Sequence, residues 1–576
     1  MTPEASSGDG AVEMSQIRPG LVDGLPTGEE HGASQRTPSK RWLKPFTALL
    51  GVAAVLLLVS FWADLIDQVT APGEVRTISG VFGSLLAIDL DQARQTVGNL
   101  GEVMAAVLGL ALTVSSIIVQ LAATRFTPHV TSLFFRAPAN MVVNGVFVVG
   151  TIFVLWINYA ANPAFIPRWG VLISLMFLTT SLLLLFPYFS YVFSFLEPDS
   201  IVGRMANDGL VSGLPNPRNK THLEVRRKRL VESIENLANI GLNATQQRDK
   251  NIASLAADAL CDMGIRYGKG KDQLDPNWFE LSNWTRQTPD FVSLSNESIR
   301  DLRERKNWVE WKILRQYQML FNEGLGRMKD LCYLIAINTR RFGVGAARRG
   351  DLHTLDLSIK FFNTYLRATI NAKDIRTAYN ILHQYRQLAE DVLRVSITVS
   401  DERQRSTLEA RSCEVAGFMR YYGGIAFQSG LTFITEVVAH DIGALCDTAY
   451  RCHAGVHEVL LDTFLRVDDA AESTEQENTL RGVRRAQVKL ATSYLLYADL
   501  RFAEKIRMDM IEEPTRRLRS IWQELLALDN REFWEVNDRG SNFDYLTPRQ
   551  KTKLPEFFSG FPSLQDSPSP PPKPGL

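Results

Sequence analysis

Four long apolar runs near the N-terminus constrain this fold more than any other feature of the chain. They span Phe46–Ala63, Val103–Ala123, Met141–Ala160 and Trp169–Phe195. A helix of about 20 apolar residues crosses the hydrocarbon core of a bilayer, and each run reaches or approaches that length. The sequence therefore predicts a four-helix transmembrane domain over residues 40–200.

Beyond the fourth run, the pattern becomes that of amphipathic helices. From residue 201 to residue 562, apolar residues recur at three- and four-residue spacing, which favours helix over strand. The expected helices are Leu223–Ile240, Ile252–Ile265, Ser298–Arg340, Leu355–Ile370, Asp374–Ile397, Glu402–Ala426, Thr432–Arg466, Glu477–Met510 and Thr515–Leu528. The predicted fold class is all-α, with four transmembrane helices plus a large cytoplasmic α-helical domain.

The two ends of the chain have neither pattern. Residues 1–39 are rich in Gly, Ser, Pro, Thr and Glu, and the Pro-rich tail at residues 563–576 contains the run SPSPPP. Such compositions cannot bury enough apolar surface to fold. Both ends are therefore predicted to be disordered.

Lys and Arg are distributed unevenly around the apolar runs. Basic residues precede the first run and follow the fourth, and Arg125 and Arg136 lie between the second and the third. The segment between the first and second runs is mainly acidic. By the positive-inside rule, both termini are predicted to be cytoplasmic in a multi-pass protein of the cell membrane. The five cysteines have no CxxC spacing, which agrees with a reducing compartment.

The second apolar run carries polar residues at bilayer depth. At about 100° per residue, four of them fall on one side of the helix and form a polar stripe. The stripe consists of Thr113, Ser116, Gln120 and Thr124, whereas Ser115 points elsewhere. The amide of Gln120 has donors and an acceptor to satisfy, so we expect it to face another helix or water.

Asn144, near the start of the third run, is expected at a depth similar to that of Gln120 because the two runs share a short inner loop. We therefore predict that Gln120 pairs with Asn144 or with a symmetry-related Gln120, which would hold helices together. A pore lining is the alternative interpretation of the same stripe.

The second run ends abruptly at Arg125-Phe126-Thr127-Pro128. Thr127 suits a helix N-cap and Pro128 suits the first helical position, so this inner-loop motif is predicted to begin a new short helix. The helix that follows would place its apolar residues on one side and lie on the inner leaflet of the membrane.

These motifs resemble a family of predicted bacterial membrane proteins, domain of unknown function twenty-two fifty-four. That family has an Ala-Arg pair before a span, then a Ser-rich span that ends in Ser-Gln-Phe-Ser-Pro-Arg. Here Ala93-Arg94 matches the pair and Phe126-Thr127-Pro128 matches the end, whereas His129 replaces the arginine. The resemblance implies a membrane location and no established activity.

The strongest candidate for a metal site is the set Cys446, His453 and His457. On one continuous helix these three side chains would share a face, and His-x3-His is a spacing that metal sites use. Ile442 and Leu460 share that face as well, so the preferred interpretation is a core or partner-facing stripe that contains two histidines, with no metal and no cofactor. The sequence also has no P-loop, GxSxG or HExxH motif, and we predict that the protein is not an enzyme.

Charge and domain size limit the remaining functions. The 63 basic and 63 acidic residues balance, which argues against nucleic-acid binding. The preferred prediction is a membrane-anchored interaction or regulatory protein whose helical domain binds a cytoplasmic protein partner. The alternative is a small oligomeric channel or transporter, assembled from copies of this chain and lined by the second transmembrane helix. The lipid bilayer is a partner in both cases.

Overall fold

A computed structural model describes residues 90–160, 168–214, 222–470, 480–533, 538–540 and 542–565, with isolated positions between 51 and 66. Within these ranges the secondary structure is helical and contains no strand, so the all-α prediction is confirmed there. The chain divides into two compact units. The first unit is Met1–Ala122 with Val130–Glu197, and the second is Ala123–His129 with Pro198–Leu576.

The first part of the described chain forms the helices α1 (Leu90–Arg125), α2 (His129–Arg136), α3 (Pro138–Ala160) and α4 (Arg168–Phe195). Three of them are long and apolar enough to cross a membrane, namely α1, α3 and α4. They correspond to the second, third and fourth predicted spans. Apart from isolated positions, the first predicted span at Phe46–Ala63 lies outside the described residues, as do residues 1–39 and most of the C-terminal tail.

The three candidate spans share an apolar core within the first unit. Val97 and Met104 of α1 pack with Val154 of α3 and Val171 of α4. Gly150 of α3 permits this approach, because a Cβ atom there would lie 2.8 Å from the terminal methyl of Met104. Close approach at a small residue is a common basis of helix association in membranes.

The second unit begins with α5 (Pro198–Gly213) and continues as a series of helices with short connections. The longer ones are α6 (Leu223–Gln246), α7 (Lys250–Gly270), α11 (Trp308–Arg327), α12 (Lys329–Arg348), α13 (Leu352–Asn371), α14 (Ile375–Ser396), α15 (Glu402–Gln428), α16 (Thr432–Arg451) and α18 (Arg481–Leu496). The shorter ones are α8 (Asn283–Arg286), α9 (Pro289–Val292), α10 (Asn296–Glu304), α17 (His457–Leu465), α19 (Leu500–Asp509), α20 (Thr515–Ala527), α21 (Pro548–Lys551), α22 (Leu554–Phe558) and α23 (Pro562–Gln565).

The longer helices of the second unit alternate between two layers. From α11 to α16, each helix packs against its neighbour in sequence and against the helix after that. Thus α12 contacts α14, and α14 contacts α16, within one layer, while α11, α13 and α15 form the other. Amphipathic helices stacked in this way bury a continuous core between the layers.

A recurrent tight turn joins several of these helices. In each of these turns one residue has a positive φ. The residues are Arg248, Lys306, Gly350, Lys373, Gly430, His453 and Ala498. The N–H of the next residue reaches back five positions, as from Asp374 to the carbonyl of Thr369 at 3.0 Å. This is the long hydrogen bond of a Schellman motif. At Asp249, Asp351, Asp374 and Asp499 the same residue then caps the following helix with its side chain.

These turns correct three of the predicted helices. The structure divides Ser298–Arg340 among α10, α11 and α12, divides Thr432–Arg466 between α16 and α17, and divides Glu477–Met510 between α18 and α19. The turns at Lys306, His453 and Ala498 account for breaks in these three ranges. None of these three residues is Gly or Pro, so the apolar period runs across the turns without a visible interruption.

Candidate functional site

Four polar side chains meet inside the first unit and form what we term the intramembrane polar cluster: Ser115, Asn140, Asn144 and Tyr188. Tyr188 donates its hydroxyl proton to Asn140 Oδ1 at 2.7 Å. Because a phenol has only one proton to donate, Ser115 Oγ is the donor in its 3.0 Å bond to Tyr188 Oη. Asn144 Nδ2 donates to Asn140 Oδ1 at 2.8 Å. The cluster therefore links α1, α3 and α4.

The cluster is uncharged and almost fully enclosed. The exposed fractions of Ser115, Asn140 and Tyr188 are 4%, 2% and 1%. In a bilayer there is no water to satisfy such groups, so they must bond to one another. Asn144 Oδ1 is the exception, since it is buried and has no hydrogen-bond partner among the described residues. The arrangement is suited to fixing three helices in one register.

The polar stripe predicted on α1 lies on a different side of that helix. Thr113, Ser116 and Gln120 are exposed in the described part of the chain, and Thr124 is exposed as well. The structure does not bring Gln120 to Asn144, because Asn144 bonds to Asn140 and Tyr188 instead. The face of α1 that packs on α3 and α4 carries Ser115, which the sequence analysis had placed off the stripe. Pairing of Gln120 with a symmetry-related copy stays a prediction.

The inner-loop motif belongs to the second unit, where it contacts two residues far away in sequence. Phe126 is 2% exposed, and its carbonyl accepts a hydrogen bond of 2.6 Å from Asn243 Nδ2 of α6. The Arg125 guanidinium lies 2.8 Å from Asp249 Oδ2. Asp249 also caps α7, by accepting from the N–H of Ile252 at 3.2 Å. We term Arg125, Phe126, Asn243 and Asp249 the junction.

The electrostatics of the junction favour an ionised Asp249. Burial by itself raises the pKa of a carboxyl, but the hydrogen bonds from Arg125 and from the backbone of α7 outweigh it and leave the pKa of Asp249 lowered. The Arg125 side chain is about half exposed, at 53%. The ion pair therefore positions the motif more than it stabilises the fold.

The rest of the inner-loop motif departs from its predicted geometry. Helix α2 begins at His129, and Thr127 Oγ1 is buried with no hydrogen-bond partner among the described residues. The predicted N-cap bond of Thr127 is therefore not formed, and Pro128 lies just before the helix. The apolar side of α2 faces protein, since Phe134 is buried with its ring 5.3 Å from that of Phe195.

The residues considered for metal binding are not on one helix. Cys446 is buried in α16, His453 lies in a turn with a φ of 50°, and His457 begins α17. His457 Nε2 lies 2.7 Å from Tyr494 Oη, and burial lowers the pKa of this imidazole. Among the described residues, no group of three or more His, Cys, Asp or Glu side chains is placed to hold a metal ion.

Sequence reasoning missed most of the residues that make these two sites. Asn140 lies just before the predicted third span, and Tyr188 lies within the fourth apolar run, where the sequence analysis singled out no polar residue. The i, i+4 spacing of Asn140 and Asn144 was the available signal for the cluster. No local signal marked Asn243 or Asp249, which lie more than 110 residues after the motif that they contact.

Together, three candidate spans and a second unit of helices indicate a membrane protein that is helical within the described residues. Residues 39–253 match the sequence model of a family described as predicted membrane protein (DUF2254). The resemblance drawn from the Ala93-Arg94 and Phe126-Thr127-Pro128 motifs is thereby confirmed, and the matched range includes all four junction residues. Comparison with curated proteins gave no match, and neither did comparison with solved structures.

Proposed function

We propose that this protein is a membrane-anchored interaction or regulatory protein, whose helical second unit binds a protein partner in the cytoplasm. The single observation that carries the proposal is the junction. Phe126 and Arg125 continue directly from the candidate span α1, yet they are held by Asn243 and Asp249 of the helical unit. The end of α1 therefore belongs to the helical unit, where it contacts the end of α6 and the cap of α7.

The proposed orientation rests on the distribution of basic residues. Arg125 and Arg136 flank the loop between α1 and α3, and basic residues follow α4. The positive-inside rule assigns both segments to the cytoplasm, with the helical unit on the same side. A chain with α1, α3 and α4 as successive spans has this loop and the segment after α4 on one side of the membrane, which is consistent with that assignment.

Cross-linking of the full chain in its native membrane, followed by mass spectrometry, tests the proposal. We expect reproducible cross-links between another protein and residues 198–565, at positions absent when the tagged chain is missing. A variant with Asn243→Ala should alter the pattern near α6 and α7, whereas Asn296→Ala, an exposed position in α10, serves as the matched control. Cross-links confined to copies of this chain would contradict the proposed partner.

The exposed stripe on α1 supports a second candidate, a small oligomeric channel or transporter. Thr113, Ser116 and Gln120 lie on one side of a candidate span and are exposed in the described part of the chain. Copies of the chain could bring these stripes together around a polar path. Solute flux into liposomes that contain the full chain tests this, and the flux should change in Gln120→Leu. Flux equal to that of empty liposomes would contradict it.

A further inference from the structure

The helical unit contains a partly open cavity of about 270 Å³ that neither the junction nor the polar cluster uses. It lies between α14, α16 and α18, and Arg539, Phe543 and Gln550 complete its lining. Pockets for drug-sized ligands measure about 300–1,000 Å³. The volume therefore suits a small metabolite.

Basic groups outnumber acidic ones around this cavity. Arg386, Arg539 and Lys489 line it, together with the carboxylates of Asp441 and Asp447. The two guanidinium groups share one carboxylate, because Asp441 Oδ1 lies 3.1 Å from Arg386 Nε and 2.7 Å from Arg539 Nη1. Arg386 also pairs with Glu390, which does not line the cavity.

Asp447 has two closer partners than the cations of the cavity lining. Its Oδ2 lies 3.1 Å from Arg451 Nε, and its Oδ1 accepts from the Tyr497 hydroxyl at 2.8 Å. Both of these partners lie outside the cavity lining. Asp447 is therefore already paired. Of the three cations that line the cavity, this leaves the Lys489 ammonium as the one to consider for ligand binding.

Lys489 differs from the two arginines of the lining in having no close carboxylate partner. Its ammonium donates to the backbone carbonyl of Phe543 at 2.6 Å, and no ion pair with a carboxylate of the described residues is formed within 4.0 Å. An ammonium has three protons to donate, so further donors remain for a ligand. Burial lowers the pKa of Lys489, although the nearby carboxylates of Asp544 and Asp447 act in the opposite direction.

The two histidines of the lining add no positive charge. Burial, with the nearby Arg539 and Arg386, lowers the pKa of His383 to about 3. Burial likewise lowers the pKa of His440, whose ring stacks on Phe543 with centroids 4.9 Å apart. His383 Nδ1 lies 3.3 Å from Arg386 Nη2, and His440 Nε2 lies 3.4 Å from Asp544 Oδ1.

We propose that this cavity binds a small oxyanion, the phosphate or carboxylate group of a metabolite, with Lys489 as the principal binding cation and Arg539 beside it. The anion would accept hydrogen bonds from the ammonium donors that the Phe543 carbonyl does not use. It would also bridge Arg539 and Lys489 of α18. The ligand class follows from the cations, and the small size of the ligand follows from the cavity volume.

Thermal unfolding of the detergent-solubilised full chain tests this proposal with two probes, inorganic phosphate and succinate, each compared with sodium chloride at equal ionic strength. We expect at least one probe to raise the melting temperature beyond chloride. In Lys489→Met the affinity for that probe should fall about 10- to 100-fold, the effect of losing a charge-assisted hydrogen bond. Lys489→Arg should retain more of the binding, and Lys360→Met, an exposed position in α13, should bind as the wild type does.

A second variant covers the case in which Lys489→Met does not fold. Ala444→Leu fills part of the cavity without changing any charge, so it should also abolish binding while circular dichroism stays helical. The proposal is overturned if neither probe stabilises the protein beyond chloride. It is equally overturned if the probe stabilises Lys489→Met or Ala444→Leu as much as the wild type.

Discussion

The first unit buries uncharged polar groups, whereas the second unit buries many groups as full charges. In the first, Ser115, Asn140 and Tyr188 satisfy one another. In the second, the Lys271 ammonium lies 2.9 Å from Glu310 and 2.5 Å from Asp351, with all three side chains largely buried. Both units thus contain polar interiors, and they differ in the kind of group that they can hold.

The difference agrees with the proposed locations of the two units, the first in the bilayer and the second in water. A charge at the centre of a bilayer costs about 2.5–3.5 kcal/mol on insertion scales, so neutral hydroxyl and amide groups are the less costly way to join helices there. In a unit surrounded by water, a buried ion pair can be retained if its geometry is good. The kind of polar group in the interior therefore distinguishes a unit in the bilayer from a unit in water. The apolar residues on the surface make the same distinction.

The largest expected effect is the loss of a central cation in the helical unit. Lys271→Met leaves Glu310 and Asp351 together without their cation, which should destabilise the fold by about 3–5 kcal/mol. Thermal unfolding followed by circular dichroism measures this, with the exposed Lys269→Met as the matched control. The double variant Lys271→Met with Glu310→Gln should recover part of the loss. If the two lysine variants were equally stable, the charge of Lys271 would not be coupled to those of Glu310 and Asp351.

The next effect concerns pH and should distinguish the two units. His383, whose pKa burial lowers to about 3, stays neutral in the folded helical unit while the unfolded chain binds a proton below pH 6.5. Stability is therefore lost as the pH falls below 6.5, by up to about 1.4 kcal/mol per pH unit for one such group. His383→Gln should flatten this slope between pH 6.5 and 5. An unchanged slope would mean that His383 is protonated in the folded protein.

A smaller effect is expected in the first unit. Tyr188→Phe removes the hydroxyl that joins Ser115 to Asn140, and the cost should be about 0.6–2 kcal/mol, as for other hydrogen bonds between membrane helices. The melting temperature in detergent should fall, and the loss should not vary between pH 5 and pH 8 because no ionisable group is involved in that range. Tyr159→Phe, at a position that is 83% exposed, is the control. If Tyr188→Phe lowered the melting temperature only at low pH, this would contradict the conclusion that the polar cluster is uncharged.

The smallest effect is expected on the exposed side of α1. Gln120→Leu should leave the unfolding of a single chain nearly unchanged, since Gln120 is exposed in the described residues. If Gln120 pairs between copies, the same variant should weaken self-association by about 0.6 kcal/mol per contact. Sedimentation in detergent measures this, with Leu121→Ala as a control of similar exposure. If self-association is unchanged in Gln120→Leu, the polar stripe has no role in assembly.

Most helices could be predicted from the sequence, but the positions of the turns between them could not. Periodic apolar residues identified α13, α14 and α15 nearly to their ends. The turns at Lys306 and Ala498 have φ values of 52° and 59°, a conformation usually marked by Gly or Asn. Because a lysine and an alanine adopt it here, only the contacts of the packed helices reveal the turn.

The candidate sites were harder to predict because each depends on distant neighbours. The angles along α1 correctly separated Ser115 from Gln120, but they could not say which side faces α3 and α4. That choice is made by packing, for instance where Met104 meets Gly150. The junction joins Phe126 to Asn243, and a single sequence carries no signal for such a long-range pair.

Membrane sidedness tests the central claim most directly, namely that the helical unit and the loop between α1 and α3 are on the cytoplasmic side. A reporter enzyme that is active only outside the cytoplasm would be fused after Arg136, after Ala160 and after Leu576. The account predicts activity after Ala160, at the end of α3, and silence at the other two positions. Activity at Leu576, or the same result at Ala160 and Leu576, would contradict it.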